Sequence, residues 1–119
     1  MSALYRDLNL PVHQRWLELR KKLRAQLGKA PDLNAILLLI GVRELGRVAD
    51  QFSKEEKQDL MHIATCAVLS QSGYYRLDYL DQDGWPHWSN NKPLPNLNLK
   101  EQEDFLKEHI LMYFESMDY

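Results

Sequence analysis

LNAILLLIGVRELGRV, Leu33–Val48, is the most apolar stretch of the chain, and its reading decides the fold. Projected at 100° per residue, its leucines, isoleucines and valines point in nearly every direction, which predicts a helix enclosed by others. Pro31 precedes it, and Asp32 is placed to cap its first turn. Gly41 and Gly46 lie inside the stretch and each lowers helix propensity by about 1 kcal/mol against alanine, so both are expected to admit a close neighbour.

The flanking segments carry their own helix signals. Ahead of it, Pro11 suits a helix start, and Val12, Trp16, Leu19, Leu23 and Leu27 recur at spacings of three and four until Gly28. Behind it, SKEE at Ser53–Glu56 is a capping box opening a third helix expected to run to Gly73. The same device recurs at Asn98–Glu101 before a last helix that carries Phe105, Leu106, Ile110, Met112, Tyr113 and Phe114.

Between the last two helices the period changes. Tyr75, Leu77 and Tyr79 alternate with Arg76 and Asp78, and Asp83-Gly84 is a hairpin turn dipeptide, so Trp85–Trp88 becomes a returning strand held to an edge by Pro86. Ser89–Pro95 follows as a connector with polyproline character. The expected fold is mainly α: a single domain over residues 1–119 resembling a four-helix bundle, with a small β-hairpin and connector at 74–97 between helices three and four.

Length and composition agree with a folded domain. A chain of 119 residues, 45% hydrophobic and 27% charged, can bury roughly two-thirds of its unfolded surface. The longest apolar run, Ala35–Val42, is far below the roughly 20 residues a membrane helix needs. Met1–Pro11 holds an arginine and polar breaks where an export signal would be continuously apolar, and a lone cysteine, Cys66, suits a reducing compartment. A cytoplasmic location without membrane contact is therefore expected.

Charge is unevenly spread. Residues 1–29 hold seven basic and two acidic groups, a local +5 against a total of −2, which predicts that the first helix lies near the acidic last one. Arg15, Arg20, Lys21, Lys22 and Arg24 could instead touch phosphates, but they project around most of the helix, and the acidic remainder, with a pI near 6.1, repels a polyanion. Nucleic acid is not the expected partner.

Several constellations could carry chemistry. Asp81, Asp83 and Gly84 fit positions three, five and six of a calcium loop begun at Tyr79, but Tyr79 and Asn90 are wrong at positions one and twelve. Asp59 and His62 echo one half of a di-iron bundle site, yet no second such pair exists. Glu44 falls in the most apolar sector of its helix and is expected to be a buried carboxylate, with Arg47 as its structural partner and a general-acid role as the alternative. His62 and Cys66 stand four apart on a second apolar side of helix three. There they are read as a packed pair, with nucleophilic catalysis or a dimer surface as the other readings. Phosphate loops, nucleophile elbows and paired-cysteine motifs are absent. No metal and no cofactor is expected.

The remaining feature is a concentration of rings. Tyr74, Tyr75, Tyr79, Trp85, His87 and Trp88 place six within 15 residues. Large apolar surfaces with polar edges suit interfaces. The expected function is binding, either a protein partner or a second copy as a homodimer, through Tyr75, Tyr79, Trp85, His87 and Trp88. An enzyme or metal protein built around Glu44, Asp59, His62 and Cys66 is the alternative.

Overall fold

The structure, a computed structural model, describes residues 11–46 and 51–119. It contains α1 (Val12–Leu27), α2 (Leu33–Leu45), α3 (Lys54–Ser70), β1 (Tyr75–Leu80), β2 (Pro86–Asn90) and α4 (Leu99–Ser116). The chain is mainly helical, with an antiparallel hairpin between the third and fourth helices. It divides into two compact units, one holding α1 and α4 and the other spanning Leu33–Leu94.

In the first unit, Pro11 stands just before α1 and its carbonyl accepts the Arg15 N–H at 3.1 Å. Gly28 ends the helix at φ 85°, returning its N–H to the Arg24 carbonyl. Arg20 Nε donates to the Pro31 carbonyl at 2.7 Å, fastening the exit segment to the helix it leaves. Trp16, Leu19 and Leu23 of α1 are buried, as are Ile110, Leu111, Tyr113 and Phe114 of α4. The expected juxtaposition of basic and acidic helices is present. Arg15 reaches Glu108 at 3.9 Å, Lys107 Nζ stands 5.3 Å over the Trp16 ring, and Lys22 Nζ stands 4.7 Å over Tyr119.

In the second unit α2 lies on α3 at Gly41. A Cβ there would stand 2.7 Å from the Leu60 carbonyl carbon and 2.9 Å from Leu60 Cβ, so only glycine allows the approach. Gly46 does different work from that expected. It follows the helix at φ 78° with nothing near its α-carbon, so it terminates α2 rather than admitting a neighbour. The predicted extension to Val48 and the Arg47 partner of Glu44 lie outside the described residues. Nor is α2 enclosed on every side: Ile36, Leu37, Ile40 and Leu45 are buried, but Leu39 is exposed.

The two capping boxes form as read. Ser53 Oγ accepts the Glu56 N–H while Glu56 accepts the Ser53 N–H, and Asn98 and Glu101 exchange the same bonds. Helix α3 stops at Ser70, three residues before Gly73, which turns the chain at φ 81°. Leu60, Ile63, Ala64 and Ala67 are buried on one side, and Cys66 and Leu69 are buried on the other. On that second side His62 is exposed, while Cys66 and Leu69 are covered by the chain itself. At the hairpin base, Asn91 N–H donates to the Tyr74 carbonyl at 2.8 Å and its side chain to the Gly73 carbonyl at 2.9 Å.

Candidate functional site

Asp81 organises the turn that DQDGWPHW, Asp81–Trp88, was expected to form. Its Oδ1 accepts the N–H groups of Asp83 at 2.9 Å and Trp85 at 3.0 Å, and its Oδ2 accepts Nε2–H of His87 at 3.0 Å. The backbone closes the same loop, with Asp81 N–H donating to Trp85 O and Gly84 N–H to Asp81 O. The connection is therefore a five-residue loop from Asp81 to Trp85, not a two-residue turn at Asp83-Gly84, because the Asp81 side chain supplies an alternative partner for the turn amides. The His87 hydrogen bond first, then the Trp85 and Asp83 amides, hold the Asp81 carboxyl below the usual carboxylate range.

The register of the ribbon decides which side chains share a face. Leu77 pairs with Trp88, Leu80 with Pro86, Arg76 with Ser89 and Tyr79 with His87, with an irregularity between Leu77 and Tyr79. Trp88 and Pro86 are two apart on β2 and point the same way, so Leu77 and Leu80 also share a face. Unbroken alternation would have separated them. Asp78 is the extra residue; it accepts from Ser89 Oγ and meets Arg76 at 3.5 Å. On the opposite face the Tyr79 and His87 rings stack with centroids 4.5 Å apart and planes 4° from parallel.

Exposure separates the predicted anchors. Tyr79 is 57% exposed, and His87 is exposed too, whereas Tyr75, Trp85 and Trp88 are half-buried. Trp88 Nε1 is buried and meets no acceptor among the described residues. The open apolar positions are Leu77 at 50% and Leu80 at 60%, which the sequence reading left out because period-two alternation gave no reason to unite them.

Beside the loop, Asp59, His62 and Ile63 of α3 face Asp81, Trp85, Pro86 and His87 across a cleft of about 270 Å³. Spacings of three and four put the α3 residues on one helical face. The cleft joins two constellations that the sequence kept apart, the Asp59–His62 pair and the hairpin loop. Of the other members of that alternative, Glu44 is not buried as expected. Its side chain is 26% exposed and sits 3.4 Å from Arg43, the adjacent residue, outside the cleft. His62 is exposed rather than buried because its helix position turns it toward the cleft. Cys66 is fully buried, its Sγ 3.6 Å from His62 Nε2, and burial pushes the thiol up to about 11. A thiol held protonated in this way is a poor nucleophile. Among the described residues no three His, Cys, Asp or Glu side chains converge enough to hold a metal ion. None of the described helices is long and apolar enough to cross a membrane.

The chain matches no protein-family model, no curated protein and no solved structure.

Proposed function

We propose that the protein is a binding module that docks a protein partner on its hairpin, with Leu77 and Leu80 as apolar anchors and Tyr79, stacked on His87, at the rim. The observation that carries this reading is the exposure of Leu77, Tyr79 and Leu80, half or more open within one six-residue strand. A folded chain gains by covering such side chains, and contiguous exposed apolar surface marks an interaction site. The ribbon has just two strands, so it also presents unpaired backbone to an arriving chain. Asp78, Asp81 and Asp83 against Arg76 leave the hairpin acidic, which favours a partner whose apolar centre has a basic margin. A second copy of the chain is the other occupant considered, and a reducing cytoplasm is the compartment that the lone, protonated Cys66 suits.

The test compares wild type with Leu77→Asp, Leu80→Asp and a control, Leu39→Asp, on an exposed leucine of α2. Helical content by circular dichroism should be the same in all four proteins. A partner protein isolated with the wild type and with the Leu39 variant is expected to lose about tenfold or more in affinity for each hairpin variant. Light scattering across concentration identifies self-association, which the same two substitutions would abolish. Binding that is indifferent to both hairpin leucines overturns the reading.

A further inference from the structure

The cleft between α3 and the hairpin loop meets the apolar face of the ribbon at Pro86, the partner of Leu80, but its chemistry is of another kind. Its lining holds two carboxylates, Asp59 and Asp81, two imidazoles, His62 and His87, and an apolar floor of Ile63, Trp85 and Pro86, with no lysine or arginine among them. Asp81 is already engaged by two amides and by His87. Asp59 is exposed and has no hydrogen bond or ion pair among the described residues. An anion would be repelled here. A ligand without a donor would cover Asp59 unpaired, which is costly, and a cationic donor gives the carboxylate its strongest partner.

A cation must therefore be weighed as metal or organic. A metal ion needs three or four ligands converging on one point. His87 Nε2 is directed to Asp81 and His62 Nε2 stands 3.6 Å from Cys66 Sγ, and among the described residues no three groups converge. An alkylammonium asks for less. Its three N–H donors can engage separated partners, here the Asp59 carboxylate and the imidazole rings beside it, and its methylene stem can lie along proline and indole. An indole also attracts a cation directly.

We infer that the cleft lined by Asp59, His62, Asp81, Trp85 and His87 binds an alkylammonium group, carried by a small free amine or by a lysine side chain. The inference does not depend on the docking of a protein to Leu77 and Leu80.

The test is a titration of the full-length, nitrogen-15-labelled protein with n-butylammonium chloride, followed by the backbone amides and the Trp85 indole N–H, with sodium butyrate and sodium chloride at equal ionic strength as controls. Saturable shifts confined to Asp59, His62, Trp85 and His87, seen with the amine and not with butyrate, are expected. Asp59→Asn should weaken the response about fivefold or more with unchanged helical content, while Leu39→Asp, on α2 and not among the cleft residues, leaves it as in wild type. A lysine-containing peptide that binds more tightly than butylammonium assigns the source to protein, and the reverse order assigns it to free amines. No saturation by about 10 mM, a weaker binding class than the standard free energies of specific small-ligand sites describe, overturns the inference. Equal binding by Asp59→Asn, or a response to zinc chloride but not to the amine, overturns it as well.

Discussion

Asp81 shows how much one side chain can settle. Three donors converge on its carboxylate, and each is lost or weakened when it takes a proton. Because the folded-state carboxyl titrates below its ordinary 3.8, the loop's contribution to stability is complete above that value and declines as pH falls beneath it. An acid titration followed by tryptophan fluorescence should show a loop transition below pH 3.8 in wild type. Asp81→Asn, which cannot ionise, should lack that step and be less stable already at pH 7; a wild-type step that survives the substitution would assign the transition elsewhere. At this scale the sequence was half legible. Asp81 was visible as turn chemistry and as a failed calcium position, but its bond to His87, six residues on, depends on the ribbon's register. Glu44 was misread for a related reason: a helical projection gives direction, not coverage, and the end of its helix leaves the carboxylate a quarter exposed beside Arg43.

At the scale of elements, the local signals were the reliable ones. Ser53–Glu56 and Asn98–Glu101 each encode two reciprocal hydrogen bonds within four residues, so no distant contact can alter their meaning. The glycines of α2 were harder, since Gly41 and Gly46 look alike in sequence and differ only in what lies nearby. Gly41→Ala would press a methyl group into the Leu60 backbone, which cannot swing aside as a side chain can. The helices would have to separate, at a cost of about 1–3 kcal/mol, the usual range for overpacking. Gly46→Ala meets no atom among the described residues, and its cost is the left-handed backbone penalty, about 1–2 kcal/mol. Urea unfolding distinguishes the two mechanisms when each is combined with Leu60→Ala. Trimming Leu60 to alanine removes the side chain beyond Cβ but leaves the carbonyl and the Cβ that a methyl at Gly41 would meet, so the Gly41→Ala cost should persist, and its disappearance would show that the outer part of the leucine side chain was responsible. The hairpin bulge had no local signal at all, because alternation continues through Asp78 and only pairing with β2 reveals the extra residue.

For the whole molecule, the charge count was informative where topology was not. A basic start and an acidic remainder implied that α1 would meet α4, and Arg15–Glu108 and the cation–ring contacts of Lys22 and Lys107 follow that logic. That the chain forms two compact units was not legible, since it depends on no local pattern. The same contacts bear on the nucleic-acid reading set aside at the outset. Arg15 is buried against Glu108, Arg20 is hydrogen-bonded to Pro31, and Lys22 stands over Tyr119, which leaves Lys21, Arg24 and Lys29 as the exposed cations without such an engagement among the described residues of this segment, Arg6 lying outside them. Each phosphate neutralised contributes about −0.9 to the slope of log affinity against log salt. These three contribute about −3 for duplex DNA, and Arg6 would add about −0.9, where a dedicated DNA-binding surface with six to ten phosphate contacts gives about −5 to −9. Fluorescence anisotropy with a labelled duplex between 50 and 200 mM salt measures this slope directly. Weak binding with a slope shallower than about −5 is expected, and a steeper one would mean that the buried and ring-bound cations are released to phosphate, returning nucleic acid to the first rank of partners.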